Sequence, residues 1–554
     1  MRMTDRNAEY AARPVDPATL KSWLHDDEEI ALFDVREHGQ YGEAHLFFGI
    51  SLPYSRLEPE ALRLAPRKNV RMVLHDEDGG GNGGTHCGRD GGSIASAAAR
   101  ALFLLGYSNV HVLKGGVQGW KAAGYGLFAG VNLPSKTFGE LVEQAFHTPR
   151  VSAGELAAMI ERKEDVVVLD GRPPAEFRKM SIPTATCCPN GELAYRVRQL
   201  VPDESTRIVI NCAGRTRSII GAQTLINLGL RNSVFALKDG TQGWFLADLP
   251  LDHGSTRRYG EPAGQEGMRA AAQALARRTG VPFVDAETVR GWARDDDRTL
   301  FLCDVRTSEE FTAATLPGAR LAPGGQLLQA SDQYVGVRHA RVVVFDSDGI
   351  RAPTVASWLR QMGHDVSVLD GGLAAGLDAG LVLPAAAANP VAPAASSAAA
   401  YAMSAEQLAV QLADSAVAAI DLRPSIAFRQ AHIPGSRWSI RPRLAGALRD
   451  ERRPVVLIAD EPAVVSCAAL ELQALGREHR LLTGGFTAWR EAGLPVESSP
   501  DVPADAECID YLFFVHDRHD GNKDAARRYL AWETGLIGQL DDLERASFRL
   551  ALPC

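Results

Sequence analysis

The segment RIVINCAGRTRSIIGAQTLINLG (207–229) holds the residues best placed for chemistry. An apolar run of the kind that forms a buried strand ends at Cys212, and a helical pattern begins at Ser218. Backbone N–H groups at the start of a helix have no internal partners and favour an anion. A thiol held in that field is acidified, and its thiolate is a nucleophile. Arg215 and Arg217 add fixed positive charge, which also recruits an anionic substrate. Ala213 and Gly214 are small enough for the backbone, on through Thr216, to wrap around whatever the sulfur carries. Five positions beyond Cys87, Cys187, Cys188, Cys303, Cys467 and Cys508 stand Gly92, Glu192, Leu193, Ser308, Leu472 and Phe513, and Cys554 is terminal. Cys212 alone is followed at that spacing by an arginine, and a cysteine kept only for packing needs none beside it.

The elements that position this loop recur. An apolar run ends in Asp-x-Arg at LFDVR (32–36), VLDGR (168–172), LCDVR (302–306) and AIDLR (419–423). Three copies then reach a proline turn, SIPTA (181–185), TLPGA (315–319) and HIPGS (432–436), while the first has HLFFGI (45–50). Second apolar runs follow at VRMVLH (70–75), RIVINC (207–212), RVVVFD (341–346) and PVVLIA (454–459). Helical patterns end at Gly106, Gly229, Gly363 and Gly476, and third runs close on glycine turns at VLKGG (112–116), ALKDG (236–240), VLDGG (368–372) and LLTGG (481–485). From Asp170 to Cys212 and from Asp304 to Asp346 is 42 residues; from Asp34 to His75 is 41, and from Asp421 to Ala459 is 38. Runs of Val, Ile and Leu without alternation suit strands buried on both faces, and their alternation with helices predicts mostly parallel sheets. Trp120, Trp244 and Trp489, after the last run of three copies, are read as packing residues.

Length and composition agree with several domains in series. At 554 residues, and about 150 per domain, three or four domains are expected. Hydrophobic residues make up 45% and charged residues 23%, an ordinary globular composition that excludes disordered and fibrous classes. The net charge of −9 argues against nucleic-acid binding through bulk charge. The opening residues MRMTDRNAEYAARPVD hold no apolar run, and ALFLLGY (101–107) is far too short to span a bilayer, so a soluble, cytoplasmic chain without membrane contact is expected. Eight scattered cysteines with no CxxC pair indicate neither a disulfide framework nor a zinc finger.

The repeat, with Asp-x-Arg, Ile-Pro-x-Ala, strand-Cys-x4-Arg-Ser-helix and a glycine turn before Trp, resembles the rhodanese homology domain. The resemblance implies an α/β fold of four tandem rhodanese-like domains, each a mostly parallel sheet flanked by helices, near 15–130, 150–252, 282–385 and 402–498. A different C-terminal helical tail follows at 500–554, with a helix expected over 523–551. The implied chemistry is sulfur transfer. A thiolate attacks the outer sulfur of a small anionic donor such as thiosulfate, a cysteine persulfide forms, and sulfur passes to a thiophilic acceptor such as cyanide or a thiol. Cys212 corresponds to the nucleophile, the backbone of residues 213–217 to the cradle, Arg217 to the loop-closing arginine, and Arg215 to a second anion contact. The basic loop favours thiosulfate over mercaptopyruvate. No metal or organic cofactor is called for, and the oligomeric state is left open. Asp170 and Arg172 are read as a turn-stabilising ion pair.

In the third copy Asp346 takes the place of the nucleophile, and in the fourth Ala459 does. Neither can form a persulfide, so both domains are expected to be inactive. The first copy carries a glycine-rich insertion around Cys87, and counting back from Gly106 puts its nucleophile position near Arg89. A loop without catalysis and a second reactive thiol both stand as readings of that insertion. Three further alternatives follow from the residues. A rhodanese-fold phosphatase would need the longer Cys-x5-Arg loop, whereas only four residues separate Cys212 from Arg217. A non-catalytic persulfide carrier or scaffold would use the other copies as interaction surfaces. Cys187 and Cys188 are either small buried residues or thiols that exchange sulfur with Cys212. In the tail, His516 and His519 are read as local hydrogen-bonding groups ahead of a helix capped by Asp520, Gly521 and Asn522, with a metal site as the alternative.

Overall fold

The computed structural model describes residues 12–78, 92–263, 265–383, 402–516 and 521–551. Four five-stranded sheets recur along the chain, all with the same strand order. In the second, Arg150–Val151, Val234–Leu237, Arg207–Asn211, Val166–Asp170 and Thr186–Cys187 lie side by side, and every pairing is parallel. The strand leading to Cys212 is the middle one, so it is shielded on both edges. Its side chains alternate between two apolar layers. Ile208 and Ile210 pack with Leu193, Ala222 and Leu225 on one face, and Val209 packs with Leu156, Phe177 and Trp244 on the other. Burial on both faces explains the unbroken apolar runs.

Each Asp-x-Arg motif closes a strand end in the same way. Arg172 donates Nε to Asp170 Oδ1 (2.9 Å) and Nη2 to Asp170 Oδ2 (2.7 Å) and to the Met180 carbonyl (2.8 Å). Arg36, Arg306 and Arg423 repeat this with Asp34, Asp304 and Asp421, and reach the carbonyls of Ala44, Ala314 and Ala431. The motif is thus the turn-stabilising pair expected of it. Trp120, Trp244 and Trp489 are buried, and each donates its indole N–H to a backbone carbonyl, of Gly126, Pro250 and Pro495 respectively.

The chain divides into two compact units, Met1–Val131 with Ala386–Phe513 and Asn132–Ala385 with Phe514–Cys554. The first unit joins repeats one and four. There Arg441 forms a bidentate pair with Glu58 (2.6 and 2.8 Å) and stacks on Tyr54, whose hydroxyl donates to Glu471 (2.8 Å). The second unit joins repeats two and three. Helices Asn190–Leu200 and Gly324–Gln329 meet at their first turns, where a Cβ on Gly191 would stand 2.7 Å from Gly325 N and one on Gly325 would stand 2.9 Å from Gly191 N. The connector between these repeats forms the helix Glu266–Arg278, which adds Met268, Ala272 and Leu275 to the core of repeat two.

The tail differs from the single helix expected over 523–551. A helix runs over Lys523–Gly535, a 3-10 turn over Ile537–Gln539 and a short helix over Asp542–Ala546. The glycines at 535 and 538 and the N-cap carboxylate of Asp541, which accepts from Glu544 N at 2.8 Å, account for the break. Asn522 caps the first of these helices by accepting from Ala525 N (3.0 Å).

Candidate active site

Cys212 sits between the central strand Arg207–Asn211 and the helix Thr216–Asn227. The strand end is braced from below, where Asn211 Nδ2 donates to Asp170 Oδ2 (2.6 Å) and to Thr241 Oγ1 (3.1 Å). It is braced from the side where the Cys212 carbonyl accepts from Thr241 N (2.8 Å) and Thr241 Oγ1 (3.0 Å). Gly240, at φ +56°, lies so close to that carbonyl that no side chain fits. Cys212 Sγ lies 3.7 Å from the Ser218 hydroxyl, which itself donates to the Arg215 carbonyl (2.8 Å).

The backbone of the loop is the unusual feature. Residues 213–218 are buried, yet among the described residues none of their N–H groups has a hydrogen-bond acceptor. Buried N–H groups are almost always paired, and a run of six without acceptors has the geometry to receive an anion. The third repeat shows the contrast. Its loop has the same length, and its Asp346 carboxylate accepts from the N–H groups of Gly349 (2.9 Å), Ile350 (3.1 Å) and Ala352 (2.8 Å), while Arg351 N donates to Asp348 (3.1 Å). The third loop therefore carries its own acceptor, a carboxyl that burial and the neighbouring Asp348 push up to about 7. Its path also differs, with Gly349 at φ +69° where Arg215 has φ −117°.

The two arginines do different work. Arg217 forms a bidentate pair with Glu176 (2.9 and 2.8 Å), and its charge interacts with Cys212. Arg351 repeats that pair with Glu310 (2.6 and 2.7 Å) in the third copy. Arg215, expected as a second anion contact, is held by carboxylates in this structure. Its guanidinium pairs with both oxygens of Glu140 (2.7 and 2.9 Å), with Glu143, and with Asp239 (3.2 Å). Glu140 and Glu143 tie the loop to the helix Leu133–Phe146, and Asp239 ties it to the glycine turn. The sequence reading missed these partners because Glu140 and Glu143 precede the repeat itself. It also missed Ser218, Thr241, Lys136, Tyr529 and Glu533. The Thr216 hydroxyl reaches Glu533 Oε1 (3.4 Å).

Cys187 and Cys188 lie in the two apolar clusters of the repeat, and burial pushes the Cys187 thiol up to about 12 and the Cys188 thiol well above its ordinary value. Both are buried in the apolar core rather than on the loop. Common geometry defines the loop head in every copy. Thr241 N donates to Cys212 O, Val117 N to Asp76 O (2.9 Å) and Leu373 N to Asp346 O (2.7 Å), while Gly485 packs against Ala459 O. The first copy thus carries Asp76 at this place rather than a residue near Arg89, because its register follows the strand Met72–His75 and the insertion comes afterwards. Asp76 Oδ2 accepts from Ala95 N (2.9 Å). Cys87, Arg89 and His519 lie outside the described residues. Among the described residues no group of three His, Cys, Asp or Glu could hold a metal ion, and no helix is long and apolar enough to cross a membrane.

A family model described as Rhodanese-like domain matches residues 16–123, 152–247, 285–379 and 404–492. The crystal structure of a thiosulfate sulfurtransferase from Pseudomonas aeruginosa is 39% identical, covers 97% of this chain and 99% of its own, and superposes with a TM-score of 0.86. The HTH-type transcriptional regulator Rv0324 of Mycobacterium tuberculosis is 33% identical over 107 residues, which is 19% of this chain and 46% of the regulator. The chain thus spans under half the length of that regulator.

Proposed function

Because this chain belongs to the rhodanese-like domain family, with four such domains in tandem, we propose that it moves sulfane sulfur through a persulfide on Cys212. The observation that carries this reading is the run of buried, acceptor-free N–H groups from Ala213 to Ser218 around a cysteine at the head of a helix. In the first half-reaction the Cys212 thiolate attacks the outer sulfur of thiosulfate or a similar donor. The donor's S–S bond breaks, sulfite leaves, and Cys212 carries –S–S⁻. In the second, a thiophilic acceptor such as cyanide or a thiolate attacks the outer sulfur, and the Cys212 thiolate is released. The cradle N–H groups stabilise the anionic persulfide between the two steps. Arg217, held by Glu176, supplies positive charge beside the sulfur.

Thiosulfate as donor is supported by the name of the Pseudomonas aeruginosa structure. Repeats one, three and four carry Asp76, Asp346 and Ala459 at the loop head, so only repeat two is assigned catalysis, within the bounds 150–252 expected for it. A cytoplasmic setting suits a chemistry that needs a reduced thiol. The test is mass spectrometry of the full chain after thiosulfate treatment. One added sulfur should map to the peptide containing Cys212 and disappear on adding cyanide, with thiocyanate formed over many turnovers. One equivalent loaded without multiple turnover would identify a carrier instead, and no added sulfur at Cys212 would overturn both.

A further inference from the structure

The helix Lys523–Gly535 lies beyond residue 492, where the last family match ends, yet it reaches the Cys212 loop. It presents Tyr529 and Glu533, one turn apart, to that loop. Glu533 is fully buried. Its Oε1 accepts from Lys136 Nζ (2.5 Å), from the Tyr529 hydroxyl (3.3 Å) and from the Thr216 hydroxyl (3.4 Å). Lys136 Nζ also donates to the Tyr529 oxygen (2.7 Å). Among the described residues Glu533 Oε2 has no hydrogen-bond partner, and it stands 2.7 Å from where a Cβ on Gly214 would be, with Tyr529 Cε1 at 3.3 Å. The carboxylate therefore packs directly on the loop, and this contact requires glycine at 214.

We infer that Glu533 is a positioning residue for the Cys212 loop, acting with Lys136 through Gly214 and Thr216. The inference rests on the sulfurtransferase reading of that loop. Among the described residues the N–H groups of 213–218 bind no acceptor, and hydrogen bonds hold the cradle only through its carbonyls, from Gln242 N to Ala213 (3.0 Å), from the Ser218 hydroxyl to Arg215 (2.8 Å) and from Asn190 Nδ2 to Arg217 (2.8 Å). Its outer side is held by Arg215 on Glu140, Glu143 and Asp239, and by Thr216 and Gly214 on Glu533. The tail thus completes a site whose chemistry lies three hundred residues earlier in the chain. The charged groups around Glu533 and the loop are Lys136, Glu140 and Glu143 from helix Leu133–Phe146, Arg215 and Arg217 from the loop and its helix, Asp239 from the glycine turn, and Glu176 from helix Pro174–Lys179. Within this set the Lys136–Glu533 pair is neutral. Removing one partner leaves the other's charge next to the cradle.

The test uses the full-length chain and single-turnover sulfur loading of Cys212 from thiosulfate, followed as sulfite release against pH. Glu533→Gln leaves Lys136 uncompensated, so thiolate formation is favoured and the profile moves to lower pH. Lys136→Met leaves Glu533 uncompensated, and the profile moves to higher pH. Both variants should lower the plateau rate by about tenfold, as expected when a reacting loop is displaced by a fraction of an ångström. The double variant should keep the lowered plateau with the profile back at its original pH. Simple loosening of the fold would slow loading without shifting the two single variants in opposite directions. Shifts in the same direction, or plateaus within twofold of the unaltered protein, would overturn the inference. If a single variant fails to fold, the double variant and Tyr529→Phe carry the test, and loading by both at the original rate overturns it. Absence of sulfur on Cys212 in the unaltered protein would sink the sulfurtransferase reading instead.

Discussion

Asp346 stands in the third repeat where Cys212 stands in the second. The carbonyl of each accepts from the residue after the glycine turn, Leu373 N at 2.7 Å and Thr241 N at 2.8 Å. Among the described residues, one loop closes its N–H groups on its own carboxyl group, and the other leaves them without an acceptor. The same fold thus holds an internal acceptor in one copy and unclosed N–H groups in the other.

Asp346→Ala should therefore destabilise the protein without touching sulfur transfer. It strips the acceptor from the N–H groups of Gly349 and Ala352, while Ile350 N keeps Asp348 Oδ1 (3.0 Å). At about 1–3 kcal/mol for a buried donor left unsatisfied, and with some relaxation, the loss should be about 2–4 kcal/mol. Thermal unfolding of the full chain reads this as an earlier transition, while sulfur loading on Cys212 stays at its original extent.

Arg215→Met should act on stability first. The substitution leaves Glu140 without its guanidinium partner, while Glu143 keeps Arg150 (3.2 Å). Breaking a buried pair from one side costs about 3–5 kcal/mol. Arg215→Lys keeps the charge and should recover part of this, because an ammonium cannot reproduce the guanidinium's bonds to Glu140, Glu143 and Asp239. A melting series over the three proteins checks the order.

Glu37 should make repeat one sensitive to pH. Burial pushes its carboxyl up to about 7, although it accepts from Ser55 N and the Ser55 hydroxyl. The unfolded chain gives up this proton near the ordinary glutamate value, so the folded state binds more protons in between. Stability then falls as pH rises from about 4.5 to 7, by about 3 kcal/mol in total. Glu37→Gln should flatten that part of the profile, and chemical denaturation at a series of pH values shows whether it does.

Cys187→Ser should leave transfer within about twofold of the original rate, since this thiol lies in the apolar layer rather than on the loop. In the folded protein neither Cys187 nor Cys188 should react with iodoacetamide at neutral pH. Rapid alkylation of either would contradict their assignment to the core.

Local chemistry made much of this protein legible. Apolar runs without alternation mark strands covered on both faces, and Asp-x-Arg marks strand ends because an arginine two residues on can close on the aspartate and a nearby carbonyl. Cys212, Gly214 and Arg217 declared a loop at a helix start because the needed groups are neighbours in the chain. Counting failed in the first repeat, where an insertion after the strand displaced the spacing while the glycine-turn contact kept Asp76 in place.

Contacts between distant segments were decided only in three dimensions. Repeat one pairs with repeat four through Glu58 and Arg441, and repeat two with repeat three through Gly191 and Gly325. Sequence order does not imply that choice, because complementary faces of packed helices select it. The carboxylate partners of Arg215, Glu140, Glu143 and Asp239, came from the fold rather than from the loop's own sequence. Glu533 lies on a tail helix whose sequence carries no sign of the loop it packs against. A charge's role depends on which charges fold against it, and a one-dimensional pattern does not carry that information.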